Sequence, residues 1–593
     1  VRREVAAGRA LVIALAAVMF VWSFGKWPDA HVDFGRELYI AWQLSLGKVL
    51  YRDVAHLHGP LSHYVNSLWF CLFGVGLWTL VVANLGVFAA VLTLLDGLLS
   101  KVASRFAVTV ACLVFVVCFA FPRVTGIGNY NFVCPYSHEL THAALLSLVA
   151  LTALEREVRQ PRARWPWIAG LCAGLVFLTK AELFAALAAS LAVGFALVSF
   201  AAPRPGARLS RMGIVGLAAT LPPLLAWAML AAPLGASGAF RAMLGSWIWL
   251  GSSDVTGLRF VRDNMGTLDV RSSLETLVVW TLGYAAALTP AVIVAFTVPV
   301  SWRRRAAQAM FLFTGVALAA APIAWENVAR PLPLVIALLA TDSLRTALVK
   351  IRRGEPANRA IVRSALCVWA LCLLGKMLLF TRIYHYGFVL AMPASMLGIV
   401  ALVDWLPKRL EAAGACAEVF RAATVAAIWV VVAVHLAQTR YWYGRQIHAI
   451  GTATDRFYAD DRAPVIEQAL ATLRQNARSA ETLGVLPDGE MLNFLARRAN
   501  AQRYTVFNPT EERTFGEAAV LESYRSQPPD WIAFVHKDSS EFGYRFFGKD
   551  YGVLLAQWIR EEYREVATVG ERPFEGDGFG VTLLRRGSWQ SPD

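Results

Sequence analysis

Thirteen apolar runs divide the first 440 residues, at about 10–24, 77–99, 106–122, 138–154, 167–181, 183–200, 213–233, 276–299, 309–324, 331–347, 363–379, 387–404 and 421–438. Each comes near the roughly 17–25 residues that a helix needs to cross a bilayer. A chain built this way folds as a polytopic membrane protein, because only helices that satisfy their own backbone can fill hydrocarbon. Composition agrees: of 593 residues 57% are hydrophobic and 17% charged, against roughly a quarter charged in soluble domains. Disorder, coiled coil and collagen are excluded.

A net charge of +14 would suggest a nucleic-acid partner in a soluble protein. Here the basic residues sit in short clusters between the apolar runs, where they orient the chain. Arg2, Arg3 and Arg9 precede the first run. Gly25-Lys26-Trp27-Pro28 after it offers no small-x-small cleavage site, so an uncleaved first span is expected. With a cytoplasmic N-terminus, the inside loops carry Lys101 and Arg105; Arg156 to Arg164; Arg204, Arg208 and Arg211; Arg303 to Arg305; Arg345 to Arg363; and Lys408 and Arg409. Every alternate loop is positive, and the odd number of spans places the last 155 or so residues outside. Six of the eight cysteines, Cys71, Cys112, Cys118, Cys172, Cys367 and Cys372, fall in apolar stretches, so no disulfide framework is encoded.

The expected fold is an all-α membrane domain of about 13 spans over residues 1–440, followed by an extracytoplasmic α/β domain over 441–593. In the tail, helix-like stretches (463–478, 490–498, 549–563) alternate with β-rich ones (482–486, 503–507, 531–536, 578–585). Val485 to Leu495 reads as strand, turn and helix, with Asp488 or Gly489 opening the helix. The tail lacks a Gly-rich nucleotide loop, so capping or recognition is its expected task. Phe546-Phe547-Gly548-Lys549-Asp550-Tyr551-Gly552 reads mainly as core packing.

The first outer loop, 26–76, holds the densest ionisable cluster before the tail: Asp29, His31, Asp33, Arg36, Glu37, Asp53, His56, His58 and His63. From Phe34, the residues Leu38, Ala41, Trp42 and Ser45 recur at helical spacing, which predicts a helix lying flat on the membrane with Asp33 at its start. Asp is also a favoured helix cap. The outer stretch 234–275, with Trp247, Trp249, Asp254, Arg259, Arg262, Asp263 and Asn264, is long enough for a lid.

An acidic residue after span one, an amphipathic helix, Gly47-Lys48-Val49-Leu50-Tyr51-Arg52-Asp53 and then His58-Gly59-Pro60-Leu61 form an ordered set. In this order the sequence resembles the GT-C membrane glycosyltransferases that use polyprenyl-phosphate sugars, including protein O-mannosyltransferases and lipid A aminoarabinose transferases. The resemblance implies that Asp33, in Val32-Asp33-Phe34-Gly35, lies at the catalytic centre. It sets His58 at the family's basic-Pro-Pro-Leu segment, with Gly59 replacing the first Pro, and Glu139 at a second acidic position. The run Gly174 to Lys180 resembles a short hairpin ending in Lys, its outer tip Thr179-Lys180-Ala181-Glu182.

The chemistry asks for the same residue types. When a hydroxyl attacks an anomeric carbon and a phosphate leaves, one carboxylate must take the proton and cations must hold the departing charge. Asp33 is the expected base, Glu139 orients the acceptor, and His58, Lys180 and Arg382 hold the phosphate; Glu37, His63, Tyr64, Glu182, Tyr384 and His385 are candidate substrate contacts. Bland readings stand beside these: Lys180 snorkelling or pairing with Glu182, and Tyr384 and Tyr386 in an interface belt.

His138-Glu139-Leu140-Thr141-His142 also matches H-E-x-x-H, which would make His138 and His142 zinc ligands of an intramembrane protease, with Glu326 or Asp488 as a third ligand. A divalent ion held by Asp33, Glu139 and His142 is a third arrangement, implied by oligosaccharyltransferases of the same superfamily; no cofactor is otherwise required. The reading from another class is a transporter or flippase of lipid-linked sugars, against which stands the lack of repeated halves. The resulting expectation is an inverting hexosyl or pentosyl transferase of a bacterial-type inner membrane. Its partners are a polyprenyl-phosphate-linked sugar, a glycan, lipid or protein acceptor, and membrane lipids, with no nucleic acid.

Overall fold

The structure is a computed structural model that describes residues 2–201 and 206–587; Arg204, in one of the basic loops, lies outside them. Among the described residues nine helices are long and apolar enough to cross a membrane: Arg3–Ser23, Leu77–Val102, Ala181–Ala201, Arg211–Leu234, Arg259–Thr297, Trp325–Arg352, Asn358–Met377, Gly387–Ala412 and Ala417–Gly444. The other four apolar runs are helical but shorter or more polar. Helix α1 is Arg2–Ser23, α2 Phe34–Ser45, α3 Leu61–Phe73, α4 Leu77–Val102 and α5 Arg105–Phe115; α6 is His138–Arg159, α7 Arg164–Phe177, α8 Ala181–Ala201 and α9 Gly206–Leu234. Of these, α7 has only 14 residues, and α6 carries Glu139, Glu155 and Glu157 among its apolar positions. Leu11, Ile13, Val18 and Val21 of α1 stand exposed, as befits side chains that meet lipid.

Helix α2 does not lie open on a membrane surface as its spacing predicts. Ten of its twelve residues are buried, packed between α3 and the tail helix Glu490–Ala496. The reason is visible at Gly35, where any Cβ would run into the backbone of Met491, and at Tyr39, whose hydroxyl accepts the N–H of Asn500 at 2.8 Å. The apolar stripe that reads as membrane-facing is the seat of the C-terminal domain.

The stretch after α9 folds into four short helices, α10 Ala236–Met243, α11 Gly245–Leu250, α12 Ser253–Thr256 and α13 Arg259–Met265. In the tail, β1 (His448–Ile450) and β2 (Phe457–Ala459) form an antiparallel pair. Strands β3 (Leu483–Leu486), β4 (Trp531–Val535), β5 (Tyr563–Gly570) and β6 (Gly580–Arg586) make one sheet in the order β3-β4-β6-β5, parallel only between β3 and β4. The helix expected at 549–563 ends at Glu562, where β5 begins at once. The β-rich 503–507 is no strand: Arg503 accepts the N–H of Ala55, and Phe507 donates to Pro487, so this piece spends its backbone on the first outer loop and on the turn after β3.

Candidate active site

The path into α2 is set by Asp29. Its buried carboxylate accepts the N–H groups of His31 and Val32 at 3.0 and 3.2 Å and pairs with Arg123 at 3.3 Å and Arg462 of the tail at 2.7 Å. Burial alone would raise Asp29; Arg462 and Arg123 outweigh it and hold the carboxyl well below the usual range. Asn129 fixes the same turn, accepting from the N–H of Asp29 and donating to the carbonyl of Val32.

Held at both ends, Asp33 takes φ 65° and ψ −80°, a γ-turn conformation that is strained for any residue with a Cβ. It occupies the cap position of α2, yet its carboxylate makes no cap bond. Burial pushes it up to about 7, against the pull of Arg36 and helped by Asp488 and Asp29. The result is a half-buried carboxylate with no side-chain hydrogen bond among the described residues, poised near neutrality.

The tail closes over this point. His31 Nε2 meets the carbonyl of Asp488 at 2.9 Å, and Asp488 pairs with Lys537 at 2.6 Å. Burial raises Glu511 to about 7 and Glu490 to about 8. No short motif announces Asp488 and Lys537, which act on Asp33, or Glu490 and Glu511, which act on Arg36, since they come from more than 450 positions away.

The expected phosphate-binding groups come from three elements. Gly59 donates to the carbonyl of Thr179 at 2.7 Å and Leu61 to that of Leu178 at 3.1 Å, so the His58 segment lies along the tip of the α7–α8 hairpin. A Cβ at Gly59 would strike the Leu178 carbonyl. Lys180 is buried, 5.4 Å above the Tyr136 ring, with no ion-pair partner within 4 Å among the described residues; Glu182 pairs instead with Lys376 at 2.7 Å. His58 puts Nδ1 on Ser246 of α11 at 3.0 Å, and burial with the nearby Lys180 holds it well below its ordinary value. Arg382 is bonded to Asn264 of α13 and to His385 Nδ1.

Arg382, Tyr384 and His385 line a cavity of about 660 Å³ together with Tyr130, Phe260 and Asn264. Arg462 and Glu541 of the tail complete its wall. Burial, with the nearby charges of Asp33 and Glu541, raises Tyr130, which lines the cavity. The rings of Tyr136 and His385 stack at 6.1 Å, and Tyr130 meets His385 edge-on at 5.0 Å. Phe260 of α13 packs on Phe542 of the tail at 4.7 Å, so the 234–275 stretch touches the tail at the cavity's rim.

One turn of α2 beyond Asp33, Glu37 joins a largely buried cluster of histidines and Glu139. Glu37 Oε2 meets His138 Nδ1 at 2.8 Å and stands 3.8 Å from His63 Nδ1. Glu139 Oε1 lies 3.1 Å from His56 Nε2 and 3.2 Å from His63 Nε2, while its Oε2 accepts from Ser137 at 2.6 Å. His142 turns Nδ1 to Ser62 at 3.1 Å. The two imidazoles of H-E-x-x-H thus engage different partners, and among the described residues neither belongs to a group of three with metal-ligand spacing; His56, His63 and Glu139 do. His56 carried no motif of its own. Tyr64, next to the buried His63, is exposed on α3.

No family model and no curated protein matches this chain. Among solved structures it is similar to the archaeal oligosaccharyltransferase AglB from Archaeoglobus fulgidus, in complex with an inhibitory peptide and a dolichol-phosphate, at 14% identity and TM-score 0.49 over 99% of this chain and 75% of that one. It is also similar to ArnT from Cupriavidus metallidurans bound to undecaprenyl phosphate, at 14% identity and TM-score 0.45 over 98% and 99%.

Proposed function

We propose that this chain is a membrane glycosyltransferase that moves a sugar from a polyprenyl-phosphate donor to an acceptor hydroxyl on the extracytoplasmic face, with inversion. The observation that carries it is Asp33: a strained, half-buried carboxylate with no side-chain hydrogen bond among the described residues, raised to about 7, its charge acting on Tyr130 of a cavity whose walls also bear Arg382 and Arg462. A general base works best with a pKa near the operating pH. The acceptor oxygen attacks the anomeric carbon as its proton passes to Asp33, and the bond from that carbon to the phosphate oxygen breaks. Polyprenyl phosphate departs with the bonding pair, its charge held by Lys180 and Arg382 and its oxygens by His58. The order of motifs in the first 200 residues supports the donor class, and the tail over Asp33 supports an acceptor arriving from outside.

The test is mass spectrometry of lipid-linked sugars in cells carrying the wild type, Asp33→Asn, or no copy, at matched protein levels. One polyprenyl-phosphate sugar should accumulate in Asp33→Asn as in the null. Lipid-linked sugars unchanged in both would remove the reading.

A further inference from the structure

We infer that His56, His63 and Glu139 form a zinc site, an assignment that does not depend on the transferase reading. The three ligand atoms make a nearly equilateral triangle: His56 Nε2 to His63 Nε2 3.2 Å, His56 Nε2 to Glu139 Oε1 3.1 Å, and His63 Nε2 to Glu139 Oε1 3.2 Å. Zinc bonds of about 2.0 Å in a tetrahedron give ligand edges of about 3.3 Å.

Protons cannot satisfy this triangle. If both Nε2 atoms carry hydrogen, each can donate to Glu139, but the two then face each other donor to donor at 3.2 Å. If only one does, its single hydrogen serves one edge and leaves a lone pair against a lone pair on another. With none, all three edges are repulsive. A cation at the centre turns all three lone pairs inward and removes the conflict.

The surroundings are those of a metal site. A ligating imidazole usually gives its other N–H to a carboxylate; His63 Nδ1 is buried with no hydrogen bond, and Glu37 Oε2 stands 3.8 Å from it. Glu139 is oriented by the 2.6 Å bond from Ser137. His63 and Glu139 are fully buried, and His56 half-buried. Two imidazoles and one carboxylate suit zinc better than magnesium or calcium, which prefer all-oxygen shells. Three protein ligands leave the fourth position to a water or substrate oxygen. The ion would tie the loop bearing His56 to α3 and α6, and the spacing that encodes it is His-x6-His in the first outer loop rather than H-E-x-x-H.

The experiment is zinc content by plasma mass spectrometry on the purified full chain, dialysed after exposure to zinc chloride, with X-ray absorption at the zinc edge. The wild type should hold about one zinc with two imidazoles in its shell. His56→Gln, on the loop, and His63→Ala should each lower bound zinc at least tenfold, while His142→Ala keeps it. The assignment falls if the wild type holds no zinc against a chelator of about 10 µM affinity, or if His142→Ala loses the metal while His56→Gln retains it. Metal content is read without any transfer assay, so a transferase without zinc and a zinc protein without transferase activity give different results.

Discussion

Glu182 and Lys376 form an ion pair of 2.7 Å between the start of α8 and the end of the helix that begins at Asn358. The pair takes the carboxylate that lies two residues from Lys180, and so leaves Lys180 as a buried cation without a counter-charge in ion-pair range among the described residues. An ammonium so placed costs stability until an anion arrives. Lys180→Gln should therefore lower kcat about 10²–10³-fold, the loss typical of one group that stabilises developing charge, with no fall in Tm. Lys376→Gln strands Glu182 and should lower Tm. Turnover of purified protein on a synthetic polyprenyl-phosphate sugar, beside thermal unfolding, separates the two.

Asp33 is ionised only above about 7. Because the deprotonated form is the base, kcat/KM should be flat above that pH and drop tenfold per unit below it. In Asp33→Asn the rate should fall about 10²–10⁴-fold and the limb near 7 should vanish. The backbone makes a second, opposite forecast: at φ 65° a glycine is relaxed where aspartate is not, so Asp33→Gly should be inactive yet more stable by about 1 kcal/mol. A pH profile and an unfolding curve on the same preparations check both.

What was legible in the sequence follows from what periodicity and motif order encode. The apolar runs give the spans, and Asp33, His58 and Lys180 fall in an order that a local reading can find. Helix α2 was misplaced because an apolar stripe looks the same whether lipid or protein covers it. His56 and the acidic groups of the tail were invisible as partners of Asp33 and Glu139, since their roles arise from a docking between segments hundreds of residues apart. Arg503 to Phe507 shows the same limit in reverse: its composition favours a strand, but the Arg503 carbonyl is taken by Ala55 of the 26–76 loop and the Phe507 N–H by Pro487 after β3.

Glycine at position 59 has a reason seen in its neighbours. Its N–H donates to Thr179, which proline cannot do, and a Cβ there meets the Leu178 carbonyl. Gly59→Pro should thus impair the protein, lowering stability by about 1–3 kcal/mol through the unpaired Thr179 carbonyl and the clash. Gly59→Ala should lose less, keeping the hydrogen bond. Yield of monodisperse protein in detergent and unfolding temperature decide this; a Gly59→Pro variant as stable as the wild type would show that the segment can leave the hairpin tip.

Asp29 anchors the tail through Arg462 while neutralising the buried Arg123. Asp29→Ala leaves Arg123 buried and uncompensated, a change that typically costs about 3–5 kcal/mol. Arg462→Met keeps the Asp29–Arg123 pair and should cost less, but it frees the tail. Limited proteolysis should then cut Arg462→Met between the last span and β3 under conditions that leave the wild type whole. The pH dependence has a fixed sign. The folded value of Asp29 is depressed below its ordinary value of about 3.9, so its contribution is complete above that pH and is lost as pH falls through the depressed value. Tail protection should therefore persist at pH 5 and fail only in stronger acid, whereas a release already complete at pH 6 would mean that histidines, not Asp29, hold the tail in place.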